Sequence, residues 1–219
     1  SPTPLPTATP TPTPTPLPAP TVSEETFKLL SAMEKAHQSM TGVHATFDQT
    51  REDEMFLETI NSKGELWFDR PHHFRCDYDD PQPMTTLIDD DALYMYVPKL
   101  KQIDKWSFSS PEERDQQLHQ LLLGFGFKAQ DLIERYEIKS SADDAELIKK
   151  RDATAQKEKW TASKVALLRV VPRAAFQEAS PFTQMELYMD LEGMQPKLVS
   201  YRDLSDSLIT LAMKKIEIN

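Results

Sequence analysis

Apolar and polar positions change period several times along this chain, and each change marks an element. Leu29, Met33, Ala36 and Met40 recur at helical spacing, widened by Phe27 and Leu30. Thr21-Val22-Ser23-Glu24 before them offers a capping box, so the pattern predicts a helix of about five turns ending near Gly42. From Val43 the period drops to two, with Val43, Ala45 and Phe47 alternating with His44, Thr46 and Asp48. Further strands are expected at about 55–60, 64–69, 73–79, 84–88 and 93–97. Turns at Asn61-Ser62-Lys63, Asp80-Pro81-Gln82-Pro83 and Asp89-Asp90-Asp91 separate them. Ser110-Pro111-Glu112-Glu113 then opens a helix with Leu118, Leu121 and Leu122 on one side, closed by Gly124. A shorter helix follows at Ala129 to about Arg135. Residues 142–158 read either as a charged helix or as a hairpin or surface insertion. Strands resume at about 164–171, 184–191, 197–202 and 207–218.

Strands this short, joined by tight turns, imply an antiparallel meander, because parallel neighbours need long crossovers. The expected fold class is mainly β with helices (α+β), one strongly curved antiparallel sheet. Several strands are apolar on both faces, notably Leu93-Tyr94-Met95-Tyr96-Val97 and Val165-Ala166-Leu167-Leu168. Such a sheet needs cover on both sides, and only two or three helices are expected to supply it. Either one face closes over the helices or the sheet curls around a space that they plug. Met33, Met40, Met84, Met95, Met185, Met189 and Met213 lie on the apolar stripes. They suit either ordinary core filling or a surface that adapts to several ligand shapes.

Composition changes the picture at the start of the chain. Residues 1–20 hold nine prolines and no charged residue. We expect residues 1–21 to form a disordered, extended Pro/Thr linker of roughly 60 Å reach. It reads as a spacer following an anchor or as part of a longer linker, and residues 22–219 as one domain. The formal net charge of −10 argues against gripping nucleic acid through phosphates and against adsorption to anionic membrane by charge. No apolar run reaches the length of a spanning helix, and no signal peptide is expected.

Candidate chemistry is sparse. Cys76 is the single cysteine and reads as a small apolar residue on a strand. His72-His73 lie near Asp77 and Asp79, but adjacent histidines on a strand point to opposite faces, so no metal is expected. Asp89-Asp90-Asp91 lacks calcium-loop spacing and reads as a charged turn. No nucleophile elbow, phosphate loop or paired Cys/His motif is present. Glu24-Glu25 and Glu112-Glu113 sit in first helical turns, where they favour the dipole.

Three segments in order resemble the LolA family of periplasmic lipoprotein carriers. They are Phe47-Asp48-Gln49, Gly64-Glu65-Leu66-Trp67-Phe68-Asp69-Arg70-Pro71 followed by Phe74-Arg75, and Leu93-Tyr94-Met95-Tyr96-Val97-Pro98 with Gln102 beyond. The likeness covers about residues 25–105. The chain departs from the pattern at Asp90-Asp91, where the family has Asp-Gly, and at Tyr94, where it has tryptophan. Residues 142–159 have no clear counterpart.

The resemblance implies a half-open barrel with a helical lid over an apolar cavity, working in the periplasm without cofactor or catalysis. It implies acylated lipoproteins or lipids as ligands, an inner-membrane releasing complex and an outer-membrane acceptor as partners, and a monomer. Arg70 would latch the lid through backbone carbonyls, using the five donors of its planar head. Phe47, Leu66, Phe68, Phe74, Met95 and Leu121 would contact ligand or lid. A tethered acceptor resembling LolB and a sensor resembling RseB are the alternatives on the same fold; an enzyme on a curved sheet is a third, for which the sequence offers no residues.

Overall fold

The computed structural model describes residues 21–53, 55–79, 81–122 and 125–219, apart from the side chains of residues 119 and 120. The expected linker lies outside these residues except for Thr21, as do Gly124 and Asp80 of the expected helix end and turn.

Eleven strands form one antiparallel sheet: β1 (Gly42–Asp53), β2 (Glu58–Asp69), β3 (His73–Tyr78), β4 (Met84–Ile88), β5 (Ala92–Val97), β6 (Gln102–Ser107), β7 (Tyr136–Ser140), β8 (Val165–Pro172), β9 (Phe182–Asp190), β10 (Gln195–Asp203) and β11 (Leu208–Ile218). Their order is β6-β5-β4-β3-β2-β1-β11-β10-β9-β8-β7. The sheet is therefore open, with β6 and β7 at its edges, and the first and last strands meet in the middle. Four helices accompany it: α1 (Glu24–His37), α2 (Pro111–Leu121), α3 (Ala129–Arg135) and α4 (Ala145–Lys157).

Strong curvature follows from what the strands share. Met95 on β5 and Met185 on β9 line one cavity, yet seven strand steps separate them in the sheet. At about 4.8 Å per step a flat sheet would hold them ~34 Å apart. The sheet must curl to bring them together, as a half-barrel does.

The inner face carries the main core in two clusters. One joins β1–β4 and β11 to Leu118 of α2, to Leu122 just past its end and to Phe125. The other joins β7–β10 to Leu30 and Met33 of α1 and Ile133 of α3. The outer face of the C-terminal half carries a third cluster, Val165, Leu167, Tyr188 and Leu198, beneath Leu147 of α4. The ambiguous segment is thus a fourth helix, and it explains why β8 is apolar on both sides. Its start is fixed by Asp144, whose carboxylate accepts from the backbone N–H groups of Glu146 and Leu147.

Three expectations are corrected. Asn61-Ser62-Lys63 is not a turn: β2 runs through it, pairing these residues with Thr50, Gln49 and Asp48. This stretch of the hairpin is polar on both strands, and the Thr50 hydroxyl donates to Asn61 Oδ1 at 2.9 Å. The turn lies earlier, where Asp53 accepts from the N–H groups of Met55 and Phe56 and Leu57 takes φ 51°. Residues 55–57 are therefore turn rather than strand.

The first helix is also shorter than expected, and its cap is Ser23, whose hydroxyl accepts from Thr26 N–H at 3.1 Å. It stops at His37 rather than near Gly42; the His37 carbonyl accepts from Met40 N–H at 3.2 Å in a closing turn and from Arg70 as well. Finally, β6 and β7 are strands that the pattern did not announce. β6 is an edge strand largely open to water, and β7 follows α3 directly with no turn signal between them.

Candidate functional site

Strand register brings the site together. The row Ala45, Leu66, Cys76, Thr86, Met95 runs across β1 to β5, each residue directly opposite the next. The adjoining row is Phe47, Gly64, Tyr78, Met84. Gly64 is what makes this second row possible. A Cβ there would lie 2.2 Å from Phe47 Cζ and 2.5 Å from Cε2, so the bare backbone is the bed on which the ring rests. Tyr78 meets that ring edge-on, with centroids 5.5 Å apart.

Above these rows lies a cavity of about 290 Å³, roofed by Gln117 and Leu121 of α2 and reaching Phe182, Met185 and Tyr201 on the other half of the sheet. Of the seven residues singled out from the sequence, Phe47, Leu66, Phe74, Met95 and Leu121 line this space. Phe68 does not; it is buried in the core nearer the end of β2, with Val43 and Met40. A second cavity of about 90 Å³ lies under α1 and α3. It shares Phe182 and Met185 with the first, while Gln116 of α2 lines one and Gln117 the other. α2 therefore stands over the seam between them.

The walls of the larger cavity carry no charged side chain. Burial pushes the Cys76 thiol up to about 12, so it stays protonated and is not a nucleophile near neutral pH. Burial likewise raises Tyr201 to about 12 and Tyr78 well above its ordinary range. A neutral, largely apolar chamber of this kind accepts hydrocarbon and rejects ions.

Arg70 lies outside the chamber, just past the end of β2. Its Nη2 donates to the His37 carbonyl at 3.1 Å, tying the sheet rim to the last turn of α1. His37 extends the tie. Its Nε2–H donates to the Met194 carbonyl at 2.8 Å, and Nδ1 faces the Gly126 N–H at 3.5 Å. Phe125 and Phe127 flank the ring. Burial lowers its pKa, against the pull of the Met194 bond and with the help of the nearby Arg70 charge.

Sequence reasoning missed His37, Gln117, Phe182 and Tyr201. Met185 stood on an apolar stripe and could have been included by that signal. The others have none, because their place depends on curvature and on helix packing.

One sequence expectation about histidines is overturned. His72 lies in the turn before β3 rather than on the strand, so the rule that neighbours point apart does not govern it. Ligand atoms of His72, His73 and Asp90 all lie within 4.8 Å of one another.

The family description "Outer membrane lipoprotein carrier protein LolA" matches residues 38–166 of the chain. An outer-membrane lipoprotein carrier protein of Alkalilimnicola ehrlichii is 31% identical over 67 residues, which are 31% of this chain and 31% of that one. The chain thus matches about a third of the length of that curated relative.

Among solved structures, a LolA superfamily protein from Nitrosomonas europaea aligns with 88% of this chain and 92% of its own, at 7% identity and TM-score 0.41. The Mycobacterium tuberculosis lipoprotein LppX aligns with 89% and 96%, at 9% identity and TM-score 0.43. Likenesses this distant carry no argument about ligand or partner. Members of the family are periplasmic carriers and binding proteins rather than enzymes. The family match spans more than half of the chain, including the β1–β5 rows that wall the larger cavity, and on that ground this protein belongs to the LolA family of outer membrane lipoprotein carrier proteins.

Proposed function

We propose that the protein binds acyl chains of lipoproteins, or of other lipids, in the cavity beneath α2 and ferries them across the periplasm toward the outer membrane. The observation that carries this reading is the neutral, apolar chamber between sheet and helix, in a chain of the carrier family. In this reading a multiply acylated ligand enters as α2 lifts. Lifting it would join the two cavities, because Phe182 and Met185 belong to both.

Arg70 sets the closed state in this account. A hydrogen bond from a charged donor contributes roughly 1.5–3 kcal/mol, and the lower end applies because Arg70 is exposed. Ligand shifts the population toward the open form by its preference for it. Releasing Arg70 from His37 removes one of the ties on the end of α1, beside the bond from the His37 ring to the Met194 carbonyl. Partners in this reading are an inner-membrane complex that releases lipoproteins and an outer-membrane acceptor. A tethered acceptor is the second reading, favoured by the Pro/Thr composition of residues 1–20.

The test is extraction. Vesicles carrying a triacylated lipopeptide are incubated with the protein and floated. A carrier leaves lipopeptide in the soluble fraction in a one-to-one complex. Lipopeptide that floats quantitatively with the vesicles, whatever the protein concentration, counts against the proposal.

A further inference from the structure

The turn that follows Arg70 holds a cluster that lines neither of the two cavities described above. His72 lies there, half-buried, and His73 opens β3 beside it, the two rings 5.3 Å apart and steeply inclined. Across from them the turn between β4 and β5 presents Asp90, whose Oδ1 bonds His72 Nε2. That turn is held rigidly by its neighbour: Asp89 Oδ1 accepts from the backbone N–H groups of Asp91 and Ala92, both at 2.9 Å. Among the described residues this is one group in which three such side chains converge.

We propose that His72, His73 and Asp90 bind one divalent transition-metal ion of the zinc class, clamping the β2–β3 turn to the β4–β5 turn. The ligand atoms lie within 4.8 Å of one another. Ligands of a tetrahedral ion at 2.0–2.1 Å stand about 3.4 Å apart, so side-chain shifts of about 1 Å complete the site. His73 and Asp90 are exposed and free to make them. Two imidazoles and one carboxylate suit zinc, nickel or copper, whereas calcium and magnesium require an all-oxygen shell. Three protein ligands leave the fourth position to water. Asp69 and Asp89 line the same outer groove as His73, and the Arg75 that shares it is paired with Asp77 at 2.8 Å. Arg114 on α2 is a second opposing charge, near enough to act on Asp90. The proposal stands apart from the carrier reading, because neither cavity includes any of the three ligands.

The experiment is calorimetric titration of zinc chloride into untagged, chelator-washed protein near pH 7.5, with melting followed in parallel. We expect one equivalent bound at micromolar concentration and a rise in Tm. Affinity should fall at least about tenfold, a loss that even outer-sphere partners can cause, in both His73→Ala and Asp90→Asn. Both positions are exposed, and the metal-free melting of each variant checks that it folds. His44→Ala, on the far side of β2 from the cluster and bonded to Glu65 and Glu217, should bind zinc as the parent does. Absence of a stoichiometric site overturns the proposal, as does zinc binding that survives in both ligand variants. Calcium binding in zinc's place overturns the ligand assignment.

Discussion

Gly64→Ala tests the cavity wall at one methyl group. The added Cβ would sit 2.2, 2.5 and 3.0 Å from three atoms of the Phe47 ring, against a comfortable carbon–carbon contact of about 3.5 Å. The ring must therefore move by roughly 1.3 Å, and the room for it is the cavity that Phe47 lines. Forcing a methyl into packed surroundings costs roughly 1–3 kcal/mol. Replacing glycine within a strand returns ~0.5–1 kcal/mol, so a net loss of about 1–2 kcal/mol is expected. Urea unfolding at fixed pH measures this, and titration with an apolar fluorescent probe measures the smaller cavity as weaker binding. Phe47→Leu in the Gly64→Ala background should recover part of both, so that the double variant is more stable than the two single losses added together. A Gly64→Ala protein as stable as its parent, with unchanged probe affinity, would show that the ring does not rest on β2 as described. Simple additivity with Phe47→Leu would show the same.

Further outcomes follow from other parts of the molecule. His37 is held neutral by burial, its pKa lowered from the ordinary 6.5. The open or unfolded chain then binds its proton first, so stability present above pH 6.5 is lost as pH falls below it toward the folded-state pKa. A urea midpoint followed from pH 8 to 5 should drop in the parent and drop less in His37→Gln, which can still donate to Met194. Cys76, with its thiol pushed up to about 12, should resist a disulfide thiol reagent at pH 8 until the protein is unfolded; prompt reaction in the native state would contradict its burial. Leu147→Ala removes a fully buried side chain under α4 and should cost ~2–5 kcal/mol. Probe affinity should be unchanged, because α4 covers the outer face. Arg70→Leu should tighten probe binding by up to about tenfold, the equivalent of the ~1.4 kcal/mol lost from the closed state, and weaker binding would deny it the role of latch.

What could be read from the sequence was whatever has a local cause. β1, the second half of β2, β3 and β4 announce themselves because one face meets the core and the other is more open to water. α2 announces its start because Ser110 caps it, its hydroxyl accepting from Glu113 N–H. Where local cause fails, so does the reading. Asn61, Ser62 and Lys63 look like a turn and are strand because their partners on β1 are equally polar. β6 and β7 are short edge strands whose pairing, not whose composition, makes them strands. α4 hides its buried face, Leu147 and Ala155, among charged residues.

The cavity was legible only in part. Phe47, Leu66, Phe74 and Met95 lie on β1, β2, β3 and β5, within one run of consecutive strands, and the resemblance pointed to them as a group. The opposite wall, Phe182 and Tyr201, is brought in by curvature that no local pattern encodes. Phe68 shows the limit of strand alternation: it shares a face with Leu66, yet two residues along the strand is enough to leave the chamber for solid core. The partner of Arg70 is a backbone carbonyl, and backbone atoms leave no signature in side-chain sequence. The convergence of His72 with His73 was misread for a related reason, since a turn obeys no two-residue period.

The central claim is that the chamber takes acyl chains, and competition tests it most directly. An apolar fluorescent probe bound to the protein is titrated with a triacylated lipopeptide and with its deacylated twin. The account predicts full displacement by the acylated form at near-stoichiometric concentration and none by the twin. Displacement by neither, with the probe still bound, would contradict it and turn the cavity into a partner-binding feature. Displacement by both would show that the peptide, not the hydrocarbon, is what the protein recognises.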